Sequence, residues 1–257
     1  MSSSLIRPIE NNAPPDEKAD ALLETIPRPP FFTSIVAPRQ RGKTTLLINM
    51  LTSPHFYYEY FDLILLFSVS FETDYKWKDE VVQKMMKRRK SPVLIPFTFF
   101  DPVMVDEILS LIKKENTDED KPLGIKTLLV FDDMITEGIC SNTQIGPVER
   151  AAIRLRHIGV STIIVSQKYK MISKKTRENT SNWIVFRLSR EEMMEFAKER
   201  AGVMEPNDFY KLVHYACCSQ EHAFVHINDQ QRDQQKRFIR NFDTYLHVSE
   251  SAFFTGW

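Results

Sequence analysis

Gly42, Lys43 and Thr44 stand side by side at the start of a helix-like apolar pattern, and that trio is suited to gripping a polyphosphate. At a helix start the backbone N–H groups and the helix dipole both point toward an anion. Gly42 lets the backbone come close, Lys43 would neutralise the β and γ phosphates, and Thr44 would lend its hydroxyl to Mg²⁺. The nucleotide-binding stretch is Ala37, Pro38, Arg39, Gln40, Arg41, Gly42, Lys43, Thr44 and Thr45. It departs from G-x-x-x-x-G-K-[ST] at Ala37, where the motif has its first glycine. That glycine serves a tight turn, so Ala is tolerated where the turn's φ is negative and costs about 1 kcal/mol where it is not.

A phosphate loop alone serves kinases, switches and motors equally, so further groups must discriminate. "TLLVFDD" ends an apolar run in two carboxylates, Asp132 and Asp133. Asp132 at a strand end suits Mg²⁺, and an adjacent Asp133 can orient or deprotonate an attacking water. That pair favours hydrolysis over transfer to a small acceptor. In "STIIVSQ", Gln167 follows another buried run and can sense the γ-phosphate or the lytic water. Upstream, Arg150, Arg154 and Arg156 lie on a helix-like segment, and arginine is the side chain that stabilises charge on a transferring phosphoryl group.

These groups must be held by a scaffold, and the chain's periodicity describes one. Continuous apolar runs at 31–36, 63–69, 127–131, 161–166 and 183–188 predict strands buried on both faces. Between them lie helical patterns: one from Asp101 as cap and Pro102 in the first turn, another from a Ser189/Glu192 capping box to a terminator at Gly202. A short helix is expected within residues 16–25. Alternating strands and helices predict an α/β fold with a mostly parallel central sheet flanked by helices. The expected organisation is a flexible arm at 1–30, an ATPase domain at 31–229 and a C-terminal extension at 230–257.

The chain has 257 residues, with 34 Lys and Arg against 34 Asp and Glu, so no global basic field announces nucleic acid and any DNA contact must be local. With 3 cysteines, Cys140 alone and Cys217 beside Cys218, there is no disulfide framework or C-x-x-C knuckle. No apolar run reaches the roughly 18 residues of a membrane span, and no signal-peptide layout opens the chain. The expectation is a soluble protein that is not secreted.

"APRQRGKT", "LLVFDD", "RLRHIGVSTIIVSQ" and "KKTRENTSNWIVFRLS" together resemble the FtsK/HerA superfamily. The chain looks most like the genome-packaging ATPases of large nucleocytoplasmic DNA viruses and their virophage relatives. The resemblance implies a P-loop NTPase of RecA/FtsK-like fold that uses ATP and Mg²⁺ to move double-stranded DNA into a preformed capsid. It implies a ring of identical subunits, a pentamer or hexamer, docked on a capsid or portal-vertex protein in the virion or at assembly sites in the host cytoplasm. Thr44 and Asp132 would hold the metal, Asp133 would act as base and Gln167 as sensor. Arg156 would reach a neighbouring subunit's nucleotide. Arg177 would join Asp133, Gln167 and Arg156 among the catalytic groups and, with Asn179, couple phosphate state to the segment facing DNA.

Two basic stretches are candidates for DNA contact. Residues 84–90 read better as a solvated surface, whereas Lys168, Lys170, Lys174 and Lys175 directly follow Gln167. His222 and His226 have the four-residue spacing of metal ligands, but they lie in a strand-like alternation without a third ligand nearby and read as structural. The alternatives to a DNA motor are a nucleoside or nucleotide kinase, and a nucleotide-gated scaffold at a capsid vertex without turnover.

Overall fold

The apolar runs pair into a nine-stranded sheet of order β3-β2-β4-β5-β1-β6-β7-β8-β9 in the computed structural model, which describes residues 16–88, 92–117, 124–134, 146, 148, 159–202 and 204–247. Five of the strands are β1 (Phe32–Val36), β2 (Leu63–Ser68), β4 (Thr127–Asp132), β5 (Val160–Ser166) and β6 (Asn182–Phe186), as expected apart from their ends. All five run parallel, and their core positions are buried on both faces. The run at 183–188 stops at Phe186, because Ser189 already caps the next helix by accepting the Glu192 N–H at 3.3 Å.

Helices cover both faces. On one side α2 (Lys43–Thr52) and α3 (Glu80–Lys87) bury Leu47, Met50, Leu51, Val82 and Met85 against Ile35, Leu66, Val130 and Ile184. On the other, α4 (Pro102–Asn116) packs Val105, Leu109 and Ile112 on Leu65, Phe67 and Phe131. Farther along that face α6 (Arg190–Arg200) and α7 (Pro206–Cys218) pack Phe196, Phe209 and Val213 on Trp183 and Val185. The expected caps hold. Asp101 accepts from the N–H groups of Val103 and Met104, Pro102 opens α4, and Gly202 takes φ +66° just past the end of α6. One further helix, α5 (Lys174–Asn179), lies between β5 and β6.

Some of the scaffold differs from expectation. β3 (Val93–Phe97) was not foreseen; among the described residues it pairs only with β2, and this edge position tolerates Pro96, which has no N–H to donate. Beyond residue 229, where the extension was placed, β8 (Phe238–Arg240) and β9 (Thr244–Tyr245) continue the sheet antiparallel from β7 (Phe224–Asn228). Of the expected arm, residues 1–15 lie outside the described residues, and the part from Asp16 on is docked rather than free. Its helix is only α1 (Glu17–Asp20), and Asp16 there receives Lys126 Nζ at 2.6 Å and the Tyr60 hydroxyl at 2.8 Å. Ile26 is buried in the core beside Phe31, and the Tyr57 hydroxyl donates to the Pro27 carbonyl.

Parallel register brings the strand C-termini to one edge. Val36 lies opposite Ser166 and Val185, and Asp132 opposite Ser68 and Val165. In such sheets this edge is where ligands bind.

Candidate active site

The loop from β1 to α2 resolves the question raised by Ala37. Its N–H donates to the Ser166 carbonyl at 3.0 Å, extending the β1–β5 ladder by one residue, and its methyl group is fully buried. Within the loop, positive φ falls on Gln40 (59°) and Gly42 (95°), not on Ala37. The departure from the glycine motif is therefore compatible with the backbone it sits in. Gly42 is the position that needs glycine. A Cβ there would meet His222 Cγ at 3.5 Å, ordinary contact, so conformation rather than space sets the requirement. Gly42→Ala is expected to lower stability by about 1–2 kcal/mol through left-handed strain, read as a drop in thermal midpoint.

From the start of α2 the buried Lys43 side chain reaches across to the end of β4, where its Nζ donates to Asp133 Oδ1 at 2.8 Å. Asp133 adopts φ +55°, a left-handed conformation that Asp tolerates better than most residues, and this turns its carboxylate toward the loop. Asp132 is fully buried. Among the described residues its Oδ1 has no hydrogen-bond partner, and its Oδ2 receives a long contact from the Ser68 hydroxyl at 3.5 Å. Burial pushes its carboxyl up to about 7, the neighbouring Asp133 charge adds to this, and Lys43 opposes it. An unpartnered, buried carboxylate oxygen calls for a cation. Asp132 and the buried Thr44 hydroxyl are the hard oxygen donors that Mg²⁺ prefers, so the residues present fit that ion.

Gln167 also reaches the loop, its Oε1 accepting from Arg39 Nε at 3.2 Å. The structure thus brings together the phosphate loop, Asp132, Asp133 and Gln167. It does not bring Arg177, which was expected among the catalytic groups. That guanidinium is buried and fully engaged elsewhere: it donates from Nε and Nη2 to the Glu199 carboxylate at 3.0 and 3.1 Å and from Nη1 to the Ile172 carbonyl at 2.7 Å, and it packs over the Tyr169 ring. Although burial pushes Glu199 up, hydrogen bonds from Tyr169 and Arg177 outweigh it and hold that carboxyl below its ordinary value. Arg177 ties α5 to α6 and carries no free charge to a phosphate. Asn179 likewise caps its own helix by donating to the Lys175 carbonyl at 2.8 Å.

Arg150, Arg154, Arg156 and Cys140 lie outside the described residues. Of the lysines after Gln167, Lys170 pairs with Glu195 and Lys174 sits 3.8 Å from Glu178, while Lys168 is exposed and Lys175 half-exposed. The two histidines diverge. His226 is buried between the Thr25 carbonyl and Asn182, and burial lowers its pKa to about 4. His222 is not in β7 at all; it occupies a turn at φ +61° against Gly42. Sequence reasoning missed it, as it missed Ser68. The sign for Ser68 was a polar residue ending an apolar strand, and for His222 there was none.

A family model described as "Poxvirus A32 protein" matches residues 22–239. No curated protein sequence matches the chain. Among solved structures, the genome packaging NTPase B204 from Sulfolobus turreted icosahedral virus 2 in complex with AMPPCP is similar at a TM-score of 0.57 and 12% identity, over 87% of this chain and 100% of that one. The same enzyme in complex with sulfate is similar at 0.55 and 14%, over 87% and 99%. B204 described as the DNA-packaging ATPase from Sulfolobus Turreted Icosahedral Virus is similar at 0.57 and 13%, over 86% and 99%. At these identities the likeness shows a shared fold.

Proposed function

The chain belongs to the Poxvirus A32 protein family, and from that membership and the geometry at the strand ends we propose that it hydrolyses ATP to drive double-stranded DNA into a viral capsid. The observation that carries the reading is the convergence of Lys43, Asp133 and the unpartnered Asp132 oxygen at one edge of the sheet. A lysine 2.8 Å from the second of two adjacent carboxylates, over a helix N-terminus, is an arrangement for triphosphate chemistry. The structural relatives are described as a genome packaging NTPase and a DNA-packaging ATPase, which supports packaging as the use of that chemistry.

In this reading the triphosphate lies over Gly42, Lys43 and Thr44. Lys43 leaves Asp133 for the β and γ phosphates, which frees Asp133 to accept a proton from the attacking water. Mg²⁺ held by Thr44 and Asp132 would neutralise charge on the phosphate oxygens. Gln167 lies against the loop through Arg39, so loss of the γ-phosphate would shift the segment that follows it. That segment carries Lys168 and leads to α5, whose Lys174 and Lys175 are the proposed DNA contacts. Arg156 would act on a neighbouring subunit's nucleotide, which requires a ring, a pentamer or hexamer, seated on a capsid or portal-vertex protein. The described residues contain no helix long and apolar enough to cross a membrane. The proposed site of action is the virion or cytoplasmic assembly sites.

Steady-state ATP hydrolysis with and without long double-stranded DNA tests this. DNA is expected to stimulate turnover several-fold, with a steep loss of stimulation as salt rises, and K174E/K175E is expected to remove the stimulation while sparing basal turnover. Turnover indifferent to DNA would defeat the translocase, and phosphate transfer to a nucleoside in place of water would identify a kinase.

A further inference from the structure

A cavity of 340 Å³ opens beside the phosphate loop, between the end of β6 and the turn leading into β7, with Arg41, Phe186, Arg187, Cys217, His222 and Ala223 among its lining residues. We infer that this cavity seats the nucleotide's base and holds it by stacking, so that the substrate class is purine nucleoside triphosphates in general rather than ATP alone. The inference rests on the nucleotide reading above and adds to it where the base goes and how loosely it is read.

Strand order supplies the direction. Asp132 and Asp133 on β4 and Gln167 on β5 lie to one side of β1, and β6 and β7 lie to the other. A triphosphate wrapped on Gly42, Lys43 and Thr44 with its γ end toward the carboxylates directs its nucleoside end toward β6 and β7. The cavity is there, at the same sheet edge, because Val36 is level with Val185, and Phe224 at the start of β7 is level with Phe186. Its volume falls at the lower end of the roughly 300–1,000 Å³ of small-molecule sites, suited to a nucleoside-sized group.

The lining explains the mode of recognition. The floor is made of Phe186, Cys217 and Ala223, all buried, and the Cys217 thiol already donates to the Val185 carbonyl at 3.1 Å. Among the described residues, none of the buried polar atoms left without a partner belongs to this cavity. The polar groups at the mouth, Arg41, Arg187, Gln220, Glu221 and His222, are all exposed, and the two guanidinium groups and the imidazole among them are planar. The imidazole lies directly on the loop, since a Cβ placed on Gly42 would be 3.5 Å from His222 Cγ. Flat faces over an apolar floor grip any base, whereas strong discrimination needs buried groups that pair with the base edge.

Calorimetric titration of the full chain with ATP, GTP and inorganic tripolyphosphate, each with Mg²⁺, tests the inference. ATP and GTP are expected to bind within about fivefold of each other and each about tenfold more tightly than tripolyphosphate, the margin a stacked base provides. His222→Asn removes the ring while keeping a residue that tolerates φ +61°. It is expected to shrink that margin to about threefold or less without changing tripolyphosphate affinity, which also reports an intact fold. Tripolyphosphate binding as tightly as ATP, an ATP preference over GTP of about a hundredfold or more, or a margin untouched by His222→Asn would each overturn the base seat and leave the phosphate site standing. If the wild type binds none of the three, or Lys43→Ala binds tripolyphosphate as tightly as the wild type does, the nucleotide site itself fails and the base seat fails with it.

Discussion

Asp133→Asn is expected to slow ATP hydrolysis by about a thousandfold while binding ATP at least as tightly as the wild type. Both halves follow from one contact. Lys43 Nζ donates to Asp133 Oδ1 at 2.8 Å, with the lysine side chain 9% and the aspartate side chain 24% exposed. The triphosphate must compete with Asp133 for that ammonium. Removing the carboxylate's charge ends the competition, and a partly buried pair of this kind is worth about 1 kcal/mol, so affinity should rise by a few-fold. The same substitution removes the proton acceptor for water, and loss of a positioned base costs about 10²–10⁴ in rate. Lys43→Ala should behave differently, losing affinity and turnover together, because the lysine contributes to both bound states. Equilibrium binding of a fluorescent ATP analogue beside single-turnover hydrolysis separates the two variants. If Asp133→Asn weakened binding as Lys43→Ala does, the carboxylate would be holding the lysine in place rather than competing for it.

How much of this was legible beforehand depended on whether local pattern or distant packing decides a residue's place. The parallel strands were readable because burial on both faces leaves continuous apolar runs, as in "LILLFS" and "TLLVFD". Once those strands are parallel, the polar residues that end them must share an edge, so Asp132, Asp133 and Gln167 could be placed near the Lys43 loop before any coordinates. β3 escaped because Pro96 and the partly exposed Ile95 blur an apolar run that, at a sheet edge, needs burial only in part. β8 and β9 escaped because strands of 3 and 2 residues carry almost no periodic signal. Arg177 was misplaced for a different reason. Whether an arginine serves a phosphate or a structural carboxylate is decided by what folds against it, here Glu199 on another helix. His222 shows the same limit, since only the turn before β7 brings it to Gly42.

Asp132→Asn should make the magnesium-free protein more stable and the enzyme inactive. Asp132 is fully buried, its Oδ1 has no partner among the described residues, and burial together with the Asp133 charge pushes its carboxyl from an ordinary 3.8 up to about 7. Because the folded value is the higher one, the folded state binds the proton more tightly than the unfolded chain. The stability this contributes is complete below about pH 4, and it is lost as pH rises through about 7. At pH 8 the wild type therefore buries a charge that Lys43 offsets only in part, which Asn removes at nearly constant shape, for a gain of about 2 kcal/mol. For a chain of this size that raises the melting temperature by about 4–8 °C. The gap between variant and wild type should open as pH climbs from 4 to 8, and melting curves across that range in chelator measure it directly. Adding Mg²⁺ with a non-hydrolysable ATP analogue should reverse the order, since the wild-type carboxylate can then pair with the cation and Asn cannot replace it. A gap independent of pH would mean that Asp132 is charged throughout and already satisfied, and the assignment of this carboxylate to the metal would fall.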